Sequence, residues 1–590
     1  MNYAKALPRF GAVMLGLALA QGAAAAGQPD WIATSNGNAQ VLLDVMAEFQ
    51  PEQAASLGVD GHDDEIMDLR ENVTQRSIDA TEAARKTLEG RLDQAKDPRV
   101  RQDLEILIKA AHDDIRSTKL QRQYMLPYFD LPRGLFFSAQ GLLNPQIPKE
   151  RQQAIVERLR KYAGMEDGYQ PITELAKART SERFDEDLVG PYRAEVQQSI
   201  KDAPRMIEGV KQLLAKSEVR GWQEPYETLA GQLRDYVDWV KTEVLQRSRE
   251  DHRLPEAIYA NNLSSFGVDM DPRELMAVAQ RSFMEIRTEM QSLAPIVAER
   301  QGFESTDYRD VIRELKKDQL VGKEILPKYE KRLHEIEGII KEHQLVTLPE
   351  RDAKIRLASE AESAAMPAPH LQPPRLIGNT EEYAEFVLPL NIPSDSGEDL
   401  KMNDFTFDAA SWTLIAHEAR PGHELQFASI IERGVSIPRA IFAFNSANVE
   451  GWALYAESIM QPYEPPEGQL ITLQMRLQRA ARAFVDPMLN LGMMEPEDAR
   501  QFLMNEVVLS PAMAKQEVDR YTFRAPGQAT SYFYGYLKLM GLRAQTELAL
   551  GDKFDARAFH DFILSQGLLP PDLLAKAVKE RFIPAQRGET

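Results

Sequence analysis

Two of the nine histidines lie six residues apart, in Ala416-His417-Glu418-Ala419-Arg420-Pro421-Gly422-His423-Glu424-Leu425-Gln426. A His-Glu pair followed by a second His is the logic of a catalytic metal site: two imidazoles face one ion, and the intervening carboxylate reaches the water that attacks. On an unbroken helix six residues turn about 600° and rise about 9 Å, so the rings would point about 120° apart. Pro421-Gly422 offers the remedy, because proline lacks the N–H that continues a helix and glycine accepts unusual backbone angles. The spacing therefore predicts a break that swings His423 back beside His417. The alternative is a helix that ends at Arg420, a new one opening on Pro421, and two unrelated histidines.

A second segment, Ala447-Asn448-Val449-Glu450-Gly451-Trp452-Ala453-Leu454-Tyr455-Ala456-Glu457, places two carboxylates seven apart. Seven residues are about 700° of helix, so Glu450 and Glu457 share a face among apolar neighbours. Carboxylates in such a setting must coordinate or pair. Two His, one Glu and a water form a common catalytic zinc shell, which makes Glu450 the third ligand expected. Glu457 would orient a ligand histidine or hold a substrate amine. The other reading is a solvated acidic edge, against which Trp452, Leu454 and Tyr455 argue. A third segment, residues 520–536, is rich in Tyr and Arg, the usual donors to a developing oxyanion. Tyr521, Arg524 and Tyr532 are the candidates, with Tyr534 and Tyr536 beside them; the sequence does not say which faces the metal.

Together, H-E-x-x-P-G-H-x-x-Q, V-E-G-W-A-L-Y-A-E and R-Y-x-x-x-P-G-Q-A-x-S-Y resemble the bacterial family catalogued as domain of unknown function 885, over most of the chain. The resemblance implies kinship with gluzincin-type metallopeptidases. Val449-Glu450-Gly451-Trp452-Ala453 is also similar to the N-E-G-F-A segment of zinc aminopeptidases, where the Glu is the third ligand. A long helical chain further resembles the oligopeptidase, angiotensin-converting-enzyme and thermostable-carboxypeptidase families, which implies a mainly α, two-lobed architecture with a deep cleft. The six-residue histidine spacing departs from those families. Many relatives carry a further His where this chain has Glu424, and that position is assigned no role.

The elements that must position these residues read as helices. Residues 75–122 show apolar residues at three- and four-residue steps, broken by Asp97-Pro98 into a hairpin. Residues 150–162, 190–217, 225–248 and 272–299 continue the pattern, the last opening on Pro272. Residues 306–345 are charged and periodic, with an interruption near Pro327. Residues 124–148 are aromatic and Pro-rich and read as an ordered loop, lining a cleft or packing as core. Residues 364–375 hold four prolines and exclude helix; 383–388 form the best strand, beside which an extended peptide could add. A polar loop through residues 394–397 follows, and Asp408 is a candidate N-cap for the His417 helix, with Ala409, Trp412 and Ile415 on its apolar side. A boundary near 350 divides an N-terminal helical region (27–350) from a C-terminal catalytic region (351–590).

Composition narrows the function. The 590 residues carry 70 basic and 90 acidic side chains, a net charge of −20, which disfavours nucleic acid and anionic membrane surfaces as partners. There is no cysteine, which excludes disulfides, Cys-type metal sites and thiol nucleophiles. Residues 1–26, with Lys5, Arg9, an apolar stretch and Ala24-Ala25-Ala26, read as a cleaved signal peptide without a lipid-modified cysteine; its removal makes the charge two units more negative. The expectation is a periplasmic or secreted zinc-dependent metallopeptidase, one Zn²⁺ per chain on His417, His423 and Glu450, acting on short peptides with Glu418 as general base. Arg420, Arg524 and Arg543 are candidates to hold a peptide carboxylate, and Glu457 an amine. The rival readings are a metallohydrolase of a non-peptide amide or ester, and a metal-containing binding protein without turnover.

Overall fold

The computed structural model describes residues 30–589 apart from 360–361, 364–365, 367, 380 and 390–401. The signal-like segment 1–26 and the loop at 394–397 lie outside the described residues. The periodic stretch 75–122 forms a helical hairpin, Val73–Gln94 and Pro98–Tyr124, with Asp97 accepting from Arg99 N at the start of the second helix. Helices Arg193–Lys216, Gln223–Trp239 and Pro272–Gln301 follow as expected. In the charged stretch 306–345 the helices are Tyr308–Leu315 and Ile325–Glu342, so the interruption precedes Pro327, which sits in a first turn where its missing N–H costs nothing.

Two of the expected elements need correction. Residues 124–148 are not one loop: Leu131–Leu142 is a helix. Asp130 caps it, Pro132 lies in its first turn, and Leu131, Leu135, Phe136, Ala139 and Leu142 form its buried stripe. Asp408 is not the N-cap of the His417 helix (Asp408–Glu418); Phe407 holds that position, and the Asp408 carboxylate instead pairs with Lys328 and Arg332.

The two largest clusters of buried apolar side chains divide near residue 250. One core gathers residues from Ile66 to Val244, and a larger one, apart from Ile106, runs from Tyr259 to Phe582. Its axis is the helix Pro466–Asn490, which is almost wholly buried and packs along Pro272–Gln301 through the aromatic cluster Phe283, Phe484 and Phe502. Burial of each such ring contributes about 1.5–3 kcal/mol.

The small sheet has three strands in the order β1-β3-β2: β1 (Lys354–Leu357), β2 (His370–Gln372) and β3 (Glu385–Leu388). β3 pairs in parallel with β1, Ile355 opposite Phe386, and antiparallel with β2, Leu371 opposite Phe386. Both edges of the strand expected at 383–388 are thus occupied, so no peptide can add to it; addition would have to use the outer edge of β1 or β2.

Candidate metal centre

The helix Asp408–Glu418 stops at the His-Glu pair, and a second helix, His423–Glu432, opens on the other histidine. Between them Arg420–Pro421 is a cis peptide. The break is held by backbone and side chain alike. Ala419 O accepts from Glu424 N at 3.1 Å, and Trp452 Nε1 donates to Pro421 O at 3.0 Å and Gly422 O at 3.3 Å. Arg420 spans it, donating to Glu424 (2.7 Å), Glu337 (2.5 Å) and the Arg351 carbonyl (2.7 Å). At Gly422 only hydrogen fits, because a Cβ would lie 1.9 Å from His417 O.

The break brings the rings together, their centroids 4.9 Å apart and nearly perpendicular. Glu450 arrives from the helix Ser446–Met460, its Oε2 lying 3.5 Å from His417 Nε2 and 3.3 Å from His423 Nε2. One donor atom from each of the three residues lies within 4.8 Å of the other two. Zinc bonds of about 2.0–2.1 Å in tetrahedral geometry put neighbouring ligand atoms about 3.3–3.4 Å apart, so both measured edges fit that ion. Glu450 Oε2 is buried and makes no well-formed hydrogen bond to either imidazole. The three atoms converge on a point between them; they do not pair donor to acceptor.

Glu457, fully buried one face-turn along, accepts from His417 Nδ1 at 2.6 Å. That bond fixes the tautomer and aims the Nε2 lone pair at the cluster, as carboxylates behind metal-bound histidines do. Burial disfavours the charged ring, yet Glu450, Glu457 and Glu418 together push the His417 imidazole up to about 9. Three carboxylates thus favour positive charge at this ring. Burial also opposes ionisation of Glu450, but the two imidazoles beside it hold its carboxyl well below the usual range. Glu418, next to His417 at the helix end, is buried.

The helix Thr530–Leu550 crosses the Glu450 helix at backbone contact: a Cβ on Gly451 would meet Gly535 C at 2.6 Å, and one on Gly535 would meet Ala447 O at 1.8 Å. Two glycines thereby set Tyr532 beside the cluster, its ring stacked at 6.5 Å from His417. Arg520 Nη2 donates to the Tyr532 hydroxyl at 2.9 Å. Burial raises the Tyr532 phenol above its usual value, with Arg520 opposing and Glu450 adding to the rise. It is a protonated hydroxyl that accepts from Arg520 and has Glu450 within hydrogen-bonding reach.

The other candidates are placed elsewhere. Tyr521 donates to Glu517 at 2.6 Å and is wholly buried, Tyr534 is bonded to Asp269, and Tyr536 accepts from Ser458. Arg524 sits one turn beyond Arg520, in the wall of a cavity of about 930 Å³. Arg543 is taken by Glu547 and Tyr455, and Glu457 lies behind His417 with Arg479 at 3.7 Å, which leaves it no access to a substrate amine. Arg520 and Arg482 are the residues the sequence reading missed. Arg482 forms a two-bond pair with Glu517 (2.7 and 2.7 Å) and its guanidinium covers the Tyr532 ring at 4.4 Å. Arg479, Arg482 and Asp486 recur at three and four among Ala480, Ala481, Ala483, Phe484 and Val485, a signal of buried pairing that the sequence does carry.

The fold is thus a mainly helical one with a small mixed sheet, and its most concentrated chemistry is a buried His-His-Glu cluster. The chain belongs to the bacterial family of proteins of unknown function DUF885, whose sequence model matches residues 51–578. Two solved structures share the fold. One is described as "a putative lipoprotein of unknown function" from Shewanella oneidensis (TM-score 0.70, 18% identity, 94% of this chain and 100% of that one). The other is "the putative lipoprotein" from Colwellia psychrerythraea (TM-score 0.72, 18% identity, 94% of this chain and 99% of that one). No curated protein matches. Among the described residues no helix is long and apolar enough to cross a membrane.

Proposed function

We propose that this chain is an extracytoplasmic zinc-dependent metallopeptidase that hydrolyses short peptides. The observation that carries the reading is the convergence of one atom each from His417, His423 and Glu450 within 4.8 Å, with the buried Glu450 oxygen at 3.5 and 3.3 Å from the two Nε2 atoms. These three residues would hold one Zn²⁺. When bound there, the ion supplies Lewis acidity, polarising a scissile carbonyl and acidifying a water. Glu418 takes the proton of the attacking water and returns it to the leaving nitrogen. Tyr532, its oxygen fixed by Arg520, donates to the carbonyl oxygen as negative charge develops. Glu457 keeps His417 in the tautomer that leaves Nε2 free. The signal-like N-terminus supports the compartment.

The test is metal content beside turnover. Wild type supplied with zinc should hold about one ion per chain, and His423→Ala should lose it. Glu418→Gln should keep the metal and lose about 10³-fold or more in peptide hydrolysis. Metal without peptide turnover in the wild type would move the reading to the binding protein; hydrolysis of amides or esters but not peptides would move it to the other hydrolase. No metal at all would defeat both.

A further inference from the structure

We infer that Arg524 is the specificity-determining residue of this site and holds the free C-terminal carboxylate of the substrate, which makes the enzyme a carboxypeptidase-type exopeptidase. The inference rests on the peptidase reading above.

The argument begins with the cavities. The hollows of about 750 and 930 Å³ adjoin, sharing Val73, Thr74, Thr118 and Phe129 in their walls. Neither is lined by His417, His423 or Glu450. The larger one is lined by residues 523–526, which directly follow the site residue Arg520. Residues Arg520–Arg524 form a turn closed by Ala525 N donating to Arg520 O at 3.0 Å, one residue wider than an α-helical turn. Such a turn stacks residues four apart, so Arg524 stands beside Arg520, and the charge of each acts on the other. The connection from metal cluster to hollow is therefore short: His417 to Tyr532 by ring stacking, Tyr532 to Arg520 by hydrogen bond, Arg520 to Arg524 by one turn. The side chains of Arg520 and Glu450 keep 26% and 16% of their exposure, so the cluster is not sealed.

Charge then selects the ligand. The other cations considered for a peptide terminus are spent: Arg420 on Glu424 and Glu337, Arg543 on Glu547. The nearest carboxylate to Arg524 is Asp519, at 4.0 Å, with Asp202 acting from farther off, while Asp519 is itself bonded to Lys515 at 2.6 Å. Burial pulls the Arg524 guanidinium below its ordinary value, with Asp519 opposing. Arg249, in the same wall, donates to the carbonyls of Gly190 and His252 and faces the charges of Glu195 and Asp251. In a chain of net charge −20, the wall of this hollow carries Arg122, Arg179, Arg183, Arg249 and Arg524 against Glu182, Glu186 and Glu195; Arg179 and Arg183 are paired with Glu182 and Glu186, so the loosely matched Arg524 is the cation left to take an anion. A planar guanidinium matches a carboxylate with two parallel bonds, and a peptide's C-terminus is the carboxylate every such substrate carries.

The experiment uses zinc-loaded protein and three probes: tetra-alanine with a free carboxylate, the same peptide as its C-terminal amide, and the N-acetylated free acid. Hydrolysis is followed by the residues released, and binding by calorimetry on Glu418→Gln protein, which cannot turn over. Wild type should favour acid over amide by about 10- to 100-fold in kcat/KM and in Kd, with N-acetylation neutral and products leaving from the C-terminus. Arg524→Gln should bring the acid-to-amide ratio close to one, mainly through KM, and Arg524→Lys should restore part of it; unchanged metal content and Tm in both show that the fold is intact. Equal rates and affinities on acid and amide in the wild type, or a ratio untouched by Arg524→Gln, would overturn the inference while leaving the peptidase standing. No hydrolysis of any probe, with the acid still bound preferentially through Arg524, would overturn the peptidase and leave a carboxylate-binding site.

Discussion

The indole N–H of Trp452 donates to the carbonyl oxygen of Pro421, 3.0 Å away, and reaches Gly422 O at 3.3 Å. A residue two positions after Glu450 thus secures the backbone break between His417 and His423. Trp452→Phe keeps an aromatic ring but leaves two buried carbonyls without that donor. The unmade bonds should cost about 1–3 kcal/mol, with the smaller ring adding a cavity. The readout is urea unfolding together with zinc affinity. Both should fall in the variant; a change in stability with zinc affinity intact would show that the bond serves packing alone.

Gly422→Ala should be far more damaging than its size suggests. The new methyl would lie 1.9 Å from His417 O and 2.4 Å from Ala416 O, and both obstacles are backbone. The two helix ends must part to admit it, and the imidazoles part with them. Zinc per chain should drop well below one. Gly231→Ala is the control, since nothing lies within 4 Å of a Cβ there; it should be neutral or gain about 0.5–1 kcal/mol from helix propensity. Equal zinc content in the two variants would refute the role given to Gly422.

These two residues also mark how far the sequence could be read. His417, His423 and the carboxylates of Glu450 and Glu457 were legible because residue type and helical phase are local properties. Pro421-Gly422 announced a break for the same reason. The Tyr532 assignment was not legible: five Tyr and Arg candidates lie within sixteen residues, and the choice is made by Gly451 meeting Gly535 across two helices, a contact between distant segments. Arg520 and Arg482 escaped because their partners, Tyr532 and Glu517, are set by packing around Pro466–Asn490. The sheet was half legible. Periodicity located β3, but that it is central depends on β1 and on β2, which lies inside a proline-rich segment with little strand signal of its own. Helix Leu131–Leu142 was hidden by the prolines around it, which cap and flank the helix without entering its interior.

Glu464 gives the fold a pH dependence separate from the metal cluster. Burial pushes its carboxyl up to about 8, against the hydrogen bond that Thr472 donates at 2.7 Å. Its folded value exceeds the ordinary carboxylate value, so between the two the native state holds a proton that the unfolded chain releases. The stabilisation is complete below about pH 4.5 and is lost as pH rises through about 8, at up to about 1.4 kcal/mol per pH unit. Glu464→Gln keeps the shape and removes the titration. Urea unfolding at pH 5, 6, 7 and 8 should show the variant gaining on the wild type as pH rises, by a few kcal/mol in all. Parallel profiles would mean that the carboxyl is ionised throughout.

Tyr521 and Tyr532 test the assignment of the oxyanion donor, because both fell in one sequence cluster and the fold sends them to different partners. Tyr532 has its ring against His417 and its hydroxyl between Arg520 and Glu450, so its proton lies on the side of the His-His-Glu cluster. Tyr521 spends its proton on Glu517, behind the Arg482 pair. Removing one donor from an oxyanion site typically lowers kcat by about 10²–10³-fold. Tyr532→Phe should show that loss with zinc content unchanged and KM little moved, since the bond matters most once charge has developed. Tyr521→Phe should instead lose about 1–2 kcal/mol of stability, from a buried carboxylate left short of a donor, with kcat held within a few fold. The opposite pattern, kcat falling with Tyr521 and stability with Tyr532, would place the oxyanion on the Glu517 side of the helix and require a different route for the substrate.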